Sequence, residues 1–132
     1  MATVDVHLVT PERELWAGPA RMVIARGVEG EVGILAGHVP LLIRLAIAPL
    51  RIETEDGRWE VAVVDGGFLH VTSGEEGTRV DVLASHAQMA AEIDAVAARS
   101  RADELRRRLA EHKTDEASIE LRKALARANV RD

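Results

Sequence analysis

The sequence of 132 residues contains no cysteine and only three aromatic residues, Trp16, Trp59 and Phe68. Without cysteine the chain forms no disulfide framework, no thiolate zinc site and no thiol nucleophile. It also has no uncharged apolar run near the roughly 20 residues that a membrane-spanning helix needs. The N-terminus lacks a basic segment followed by an apolar one, so we expect no secretory signal. These absences argue against a disulfide-rich secreted protein, a thiolate metal protein and a helical membrane protein.

Glycine and proline are missing from one part of the chain only. All ten glycines and all four prolines lie between Pro11 and Gly77, whereas the 47 residues of 86–132 contain neither. The net charge of -5 divides at the same place, because residues 1–85 carry seven arginines against 13 acidic residues while the remainder is nearly balanced. An acidic chain without a broad basic patch is a poor candidate for binding nucleic acid. We expect one domain over residues 1–85 and a second over residues 86–132.

Residues 1–85 have the pattern of many short β-strands separated by turns. Val4, Val6 and Leu8 alternate with polar residues, which is the period of a half-buried strand. Asp56-Gly57 is typical of a tight hairpin turn between two such strands. Close spacing of short strands predicts a sandwich or a barrel.

After residue 85 the apolar spacing changes to that of α-helices. Ser85 and Gln88 match a capping box and predict a helix from about residue 86 to residue 111. Thr114 is the expected cap of a second helix. Many of the contact residues in this αα-hairpin are alanine, and each buried methyl contributes only about 1 kcal/mol. We therefore expect a marginally stable hairpin that needs a docking surface. The apolar stripe of its first helix comprises Met89, Ile93, Val96, Ala98, Ala102, Leu105 and Leu109.

The residues predict neither a catalytic site nor a metal site. The five histidines have no i,i+4 pair and no local cluster of carboxylates, so structural or surface roles are favoured over metal binding. The sequence has no nucleophile elbow, no zinc-protease helix motif and no phosphate-binding loop of the P-loop type.

Two segments leave alternatives open. The arginines of residues 99–131 form either a solvated face with i,i+4 ion pairs or a docking surface for an acidic partner. The segment Gly30–Leu42 places apolar residues among closely spaced glycines, and is either a tight β bend or an apolar loop displayed to a partner.

Three stretches of the first 85 residues are distinctive: Gly30-Glu31-Val32-Gly33-Ile34-Leu35, His38-Val39-Pro40-Leu41-Leu42 and Gly66-Gly67-Phe68-Leu69-His70-Val71. With these stretches the sequence resembles the ε subunit of bacterial F-type ATP synthases. The resemblance extends over essentially the whole chain and is most specific in the first 85 residues. It implies an α+β fold, with a flattened N-terminal β-sandwich of about ten strands followed by an antiparallel hairpin of two helices.

The resemblance also implies a function. The protein would be a non-catalytic rotor subunit in the central stalk of a proton-translocating ATP synthase, on the cytoplasmic face of the bacterial plasma membrane and attached only through the complex. By matching positions, Glu31 would face the c-ring, and Thr10, His38 and Ile43 would lie against the γ subunit. The hairpin would switch between a docked and an extended form, and the extended form would reach the α and β subunits and inhibit ATP hydrolysis. The residues for the acidic β-subunit surface would be Arg106, Arg107, Arg108 and Arg122, which favours the docking interpretation of these arginines as a group.

Some members of the family bind ATP on the folded hairpin through a motif Ile/Leu-Asp-x-x-Arg-Ala in the first helix. Ile93, Asp94 and Ala98 match that motif, but Ala97 stands where it has arginine. Lys123 and Arg127 match basic positions of the second helix. The resemblance thus requires no cofactor and leaves ATP as a weakened regulatory ligand. Two alternative functions remain, a free ATP-binding sensor module and an unrelated β-sandwich adaptor whose helices dimerise.

Overall fold

The computed structural model describes residues 2–111 and 115–130. Within these ranges it contains seven β-strands followed by two α-helices, which confirms the expected α+β class. The strands are β1 (Val4–Val9), β2 (Glu14–Gly27), β3 (Gly30–Ile34), β4 (Leu41–Thr54), β5 (Trp59–Gly74), β6 (Gly77–Ala84) and β7 (Ala87–Met89), and the helices are α1 (Ala95–Glu111) and α2 (Asp115–Ala128).

The strands form a sandwich whose sheet closes on itself. Their order is β1-β6-β5-β4-β2-β3, and β1 also pairs with β2, which closes the ring. The pair of β1 and β6 is parallel and the other pairs are antiparallel, with the short β7 added beside β5. Closure leaves few unpaired strand edges, which limits edge-to-edge association.

The expected count of about ten strands was too high, because three strands continue through positions that look like breaks in the sequence. Strands β2, β4 and β5 span 14, 14 and 16 residues. Strand β5 continues through Gly66 and Gly67, whose φ angles are +86° and +118°. A Cβ at Gly67 would overlap the carbonyl oxygen of Leu83 and lie 2.8 Å from Cα of Ala84, so only glycine lets the two strands approach this closely. These glycines bend the strand and do not end it.

The core of the sandwich is aliphatic. The largest fully buried side chains are Leu8, Ile34, Leu50, Ile52 and Leu69, accompanied by several valines. Burial of each such side chain contributes about 1.5–3 kcal/mol relative to exposure. The fully buried residues of the core include no aromatic one, and Trp16 packs against the core while only partly buried.

The bend divides the outer surface of β4 and β5 into two faces. On β4 the residues that enter the core change from Leu45 to Leu50 and Ile52, and on β5 they change from Val64 to Leu69. Successive side chains of a strand point to opposite faces. The change from odd-numbered to even-numbered core residues on β4, and the reverse on β5, therefore shows that the face turned toward the core changes at the bend. The open face comprises the outward-pointing Leu42, Phe68 and Leu83 on one side of the bend. The docked face comprises Ile47, Pro49, Val63 and Asp65 on the other side, where α2 contacts β4 and β5.

The first helix begins nine residues later than expected. The capping box at Ser85 was wrong, since Ala87–Met89 form β7 against Ala62–Val64 and a 3₁₀ turn follows at Ala90–Glu92. Strand hydrogen bonds and burial of Ala87 and Ala90 outweigh the local capping signal. Asp94 caps α1 instead, because its Oδ1 accepts a hydrogen bond of 3.0 Å from the backbone nitrogen of Ala97.

This later start affects the predicted division of the chain. The segment between residues 86 and 94 belongs to a strand and a turn, so the helical part is shorter than residues 86–132. The division into two domains near residue 85 stays a prediction. Thr114, the expected second cap, lies outside the described residues.

The two helices pack through small residues. Ala102, Leu105 and Ala124 are buried between them, with Leu121 and Leu125 alongside. Arg99 at the start of α1 donates a 2.8 Å hydrogen bond to Asn129 after the end of α2, so the helices run antiparallel. Val96, expected in the apolar stripe, is instead largely exposed. Such a thin core leaves the hairpin dependent on its contact with the sandwich.

Candidate functional site

A loop between β3 and β4 is held firmly and displays apolar side chains. The backbone nitrogen of Gly37 donates to Oγ1 of the buried Thr78 at 2.7 Å. The hydroxyl of Ser73 donates to the carbonyl oxygen of His38 at 2.6 Å. The loop is thereby fixed to the β5–β6 hairpin. Val39 is nevertheless 69% exposed, as expected of an apolar residue that contacts a partner.

The open face lies on the strands that adjoin this loop. Phe68 is 49% exposed and stands directly opposite Leu83 on β6, while Leu42 is opposite His70 on β5. Large apolar side chains on neighbouring strands form a patch, which is more informative than a single exposed leucine. The sequence motifs included Leu42 and Phe68 but gave no role to Phe68 or Leu83. The signal was present, because Phe68 alternates with the core residues Leu69 and Val71.

The four residues expected to contact γ and the c-ring occupy different environments. Thr10 is buried, and its hydroxyl both donates to the carbonyl oxygen of Arg13 and accepts from that residue's backbone nitrogen. Ile43 packs against the core, on the opposite side of β4 from Leu42. His38 is half-buried, with Nδ1 2.7 Å from the carbonyl oxygen of Val39. Glu31 is exposed on β3 beside Arg26 of β2. The roles of all four stay predictions.

The junction between α2 and the sandwich contains a group of hydrogen-bonded polar side chains. Arg127 donates to both carboxylate oxygens of Asp65, at 2.8 and 2.7 Å, and from Nε to Oε1 of Gln88 at 3.0 Å. The side chain of Asp65 is 2% exposed and that of Arg127 is 15% exposed. A cavity of about 300 Å³, the junction cavity, opens beside this pair; it is lined by Asp65, His86, Arg101, Glu120, Lys123, Ala124 and Arg127.

The structure brings together only part of the predicted ATP-binding set. Lys123 and Arg127 both line the junction cavity, but each has a carboxylate within ion-pair distance, Glu120 at 3.6 Å and Asp65 at 2.7 Å. Ile93, Asp94 and Ala98 are not among the residues that line it. Asp94 caps α1 and Ala98 is buried, so both have structural roles. The ATP-binding role of the set stays a prediction.

The helical arginines assigned to the β subunit are exposed. Arg106 pairs with Asp103 at 3.7 Å, and Arg108 pairs with Glu104 one turn earlier. Such exposed pairs contribute about 0.3–0.5 kcal/mol each and are easily exchanged for other partners. Among the described residues, Arg107 and Arg122 have no ion-pair partner within 4 Å. The arrangement leaves positive charge available on both helices.

One histidine is held between carboxylates on the sandwich. Nδ1 of His7 lies 3.1 Å from Glu14, and Nε2 lies 3.2 Å from Asp5. The hydrogen bond with Glu14 is the largest influence and raises the pKa of His7 above its usual value, with further support from Asp5. Burial and Arg79 act in the opposite direction. His7 is not among the residues that line the junction cavity, and it lies where β1 pairs with β2.

The part of the chain that is described holds neither a metal site nor a membrane-spanning helix. No three histidine, aspartate or glutamate side chains there are placed to hold a metal ion. No helix in the described ranges is long and apolar enough to cross a membrane.

The protein combines a closed β-sandwich with two later helices. Comparison with known proteins identifies the class to which this sandwich belongs. The family model described as "ATP synthase, Delta/Epsilon chain, beta-sandwich domain" matches residues 3–90. Its end at residue 90 includes β7, which agrees with the structure.

The particular subunit follows from the relatives. A protein named ATP synthase epsilon chain from Exiguobacterium sp. is 40% identical over 100% of this chain and 98% of its own. One of the same name from Thermobifida fusca is 52% identical over 72% of this chain and 69% of its own. The chain belongs to the family of ATP synthase epsilon chains.

Two solved structures share this fold, one of them over nearly the whole length of the chain. A chain in the Euglena gracilis mitochondrial ATP synthase structure titled with OSCP/F1/c-ring superposes with a TM-score of 0.82 at 26% identity, covering 96% of this chain and 79% of that one. A chain in the central stalk/c-ring structure of Tetrahymena thermophila mitochondrial ATP synthase has a TM-score of 0.55 at 19% identity, which shows a shared fold over 67% of this chain and 68% of that one.

Proposed function

We propose that this chain is a non-catalytic subunit of the central stalk of an F-type ATP synthase, joining the γ subunit to the c-ring. The observation that carries the proposal is the open face beside the fixed loop. An apolar patch of Leu42, Phe68 and Leu83 on a closed sandwich is suited to a lasting protein partner. The match to a chain in a complex of F1 and c-ring supports the nature of that partner.

The contacts divide between two parts of the sandwich. The open face and His38 would contact γ, and Glu31 on the exposed β3 would contact the polar loops of the c-ring. Thr10 and Ile43 are turned toward the fold, so they would support the γ-binding surface from within. This arrangement assigns the main γ contact to side chains that are exposed on the free chain. Its site is then the cytoplasmic face of the bacterial plasma membrane, reached through the c-ring.

The helical hairpin would regulate ATP hydrolysis. Its attachment through partly buried apolar side chains and the ion pair of Asp65 with Arg127 would permit release from the sandwich. Once extended along γ, Arg106, Arg107, Arg108 and Arg122 would meet acidic surface of the β subunit, near its boundary with α, and obstruct rotation in the direction of hydrolysis. Exposed i,i+3 and i,i+4 pairs on α1 hold Arg106 and Arg108 only weakly before that encounter.

ATP is the second candidate, as a regulatory ligand of the docked hairpin. Lys123 and Arg127 beside the junction cavity favour it, because two cations at one cavity attract phosphate. However, Asp65 already occupies Arg127, and Ala97 stands where the family motif has arginine. We therefore propose at most weak binding and no requirement for a cofactor.

The rotor proposal is tested by replacing Phe68 on the open face. Phe68→Glu places a charge in the apolar patch and should reduce co-purification with γ and the c-ring by at least about tenfold, as expected for a buried interface aromatic. Trp59→Glu is the matched control, since Trp59 is the other exposed aromatic of β5 and lies beyond the bend.

The control should leave assembly unchanged. Equal recovery of γ with both variants would contradict the assigned face. Failure of the unmodified chain to recover any ATP synthase subunit would contradict the rotor proposal itself.

A further inference from the structure

The hairpin meets the sandwich almost entirely through α2. Helix α2 contacts β4 and β5, whereas the main packing of α1 is against α2. The apolar part of this contact places Leu125 and Ala126 of α2 beside a cavity that Ile47, Ala48 and Pro49 of β4 also line. Except for Ala48 these residues are only partly buried, so each contributes less than a core side chain. The polar part of the junction therefore has a large influence on whether the hairpin stays docked.

That polar part is centred on one buried ion pair. Arg127 donates to Asp65 through two parallel hydrogen bonds, the geometry in which guanidinium and carboxylate bind most strongly. The side chain of Asp65 is almost completely removed from solvent, and that of Arg127 is 15% exposed. A buried pair adds modest stability when complete, but loss of one partner leaves an uncompensated buried charge. Docking is then far more sensitive to either charge than to an exposed ion pair.

The acceptors of the pair are positioned by the strands. Asp65 donates its backbone nitrogen to the carbonyl oxygen of His86 at 2.8 Å, next to the pairing of Val63 with Gln88. Gln88 in turn accepts a hydrogen bond from Nε of Arg127. The carbonyl oxygen of Lys123 accepts a further one from Nη1 of Arg127 at 3.2 Å. All three guanidinium nitrogens thus have acceptors in a fixed arrangement. Strand β7 thus supplies, through Gln88, one of the acceptors that surround the side chain of Arg127.

We propose that Asp65 and Arg127 are the positioning pair that holds the helical hairpin on the sandwich, with Gln88 orienting the guanidinium, so that neutralising either charge releases the hairpin. The consequence for ATP hydrolysis rests on the proposed function, but the pair itself is a property of the isolated chain. The carboxylate of Asp65 gives Arg127 an anionic partner without any bound nucleotide.

The test measures docking in the isolated full-length chain. Because the sequence has no cysteine, Glu55→Cys and Arg107→Cys allow two fluorophores to be attached, one on the sandwich and one on α1. Single-molecule energy transfer then reports the ratio of undocked to docked hairpin. Asp65→Asn should raise this ratio about 100-fold, and Arg127→Met should raise it similarly. The double variant should be less affected than either single variant, since no unpaired charge is left buried.

The matched control is the exposed pair of Arg13 and Glu92, whose Nη2–Oε2 distance is 2.9 Å. Glu92→Gln makes the same carboxylate-to-amide change near the start of the hairpin and should alter the ratio less than about fivefold. Tryptophan fluorescence during unfolding reports whether each variant keeps the stability of the sandwich. If Asp65→Asn lowers that stability by disturbing β5, the docking ratio of Arg127→Met tests the proposal instead. Equal effects of Arg127→Met and Glu92→Gln, or effects of the single variants that multiply in the double variant, would overturn the proposal. Neither result depends on γ, the c-ring or ATP hydrolysis.

Discussion

The two outer faces of the sandwich differ in the side chains that they present to a partner or to the helices. The open face presents Leu42, Phe68 and Leu83, and its surroundings are fixed by strand pairing and by Thr78 under the loop. The docked face is covered by a helix of the same chain, through partly buried apolar side chains and the ion pair of Asp65 with Arg127. Apolar area favours lasting association, whereas a contact that depends on a charged pair is sensitive to loss of either charge. We therefore propose that the same β5 strand supports a permanent contact on one face and a reversible one on the other.

The bend that separates these faces is the feature whose loss should have the largest effect. Gly67→Ala would place a Cβ in overlap with the carbonyl oxygen of Leu83, at a φ of +118°. Overlap with backbone cannot be relieved by a rotamer change, so we expect a loss of about 3 kcal/mol or more in the free energy of unfolding. Urea unfolding followed by tryptophan fluorescence measures it. Gly33→Ala is the control, because a Cβ there would meet no atom within 4 Å and no positive φ is needed. Similar losses for both variants would contradict the account of the bend.

A smaller effect, limited to one region, is expected in the hairpin. Leu105→Ala removes a buried side chain from the thin core between α1 and α2 and should cost the hairpin about 2–3 kcal/mol. Helical circular dichroism should fall, while the unfolding free energy of the sandwich stays within about 0.5 kcal/mol of that in the unmodified chain.

Leu69→Ala is the matched change in the sandwich core. It should lower the unfolding free energy of the strands by about 2–5 kcal/mol. Loss of sandwich stability in Leu105→Ala would mean that the two regions unfold as one unit, which would break the comparison.

The smallest expected effect is on the pH dependence of the unfolding free energy, and it is limited to the sandwich. Because Glu14 and Asp5 raise the pKa of His7 in the folded state, its stabilisation is fully present below the ordinary histidine pKa of 6.5 and is lost as pH rises through the folded-state pKa. The carboxylates are half-exposed, so we expect less than about 1 kcal/mol. His7→Gln should remove this part of the pH dependence in urea unfolding at pH 6 and pH 8.5, and hairpin docking should not change. An unaltered pH dependence would exclude His7 as its source.

The sequence allowed the class of fold and its order to be predicted from local patterns. Alternation in Val4–Leu8, the Asp56-Gly57 turn and the helical spacing after residue 94 are short-range signals, and the structure follows them. The strand count and the start of α1 depended on long-range contacts. Position 67 requires glycine because Leu83 lies close by, and Ala87–Met89 form β7 because β5 offers an edge to pair with.

The candidate sites show the same limit. Charge and matching positions identified Arg127, but its partner Asp65 is 62 residues away and could not be found by spacing. Thr10 and Ile43 were selected by position, and their burial became visible only in the fold. Phe68 and Leu83 form a patch across two strands that no local motif contains.

The assembled ATP synthase offers the most direct test of the difference between the faces. Truncation after Glu92 removes both helices but keeps β7 and the whole open face. The truncated chain should still co-purify with γ and the c-ring, and ATP hydrolysis by the complex should rise above that with the full chain. Unchanged hydrolysis with assembly intact would contradict the regulatory role of the hairpin, and lost assembly would contradict the assignment of the permanent contact to the sandwich.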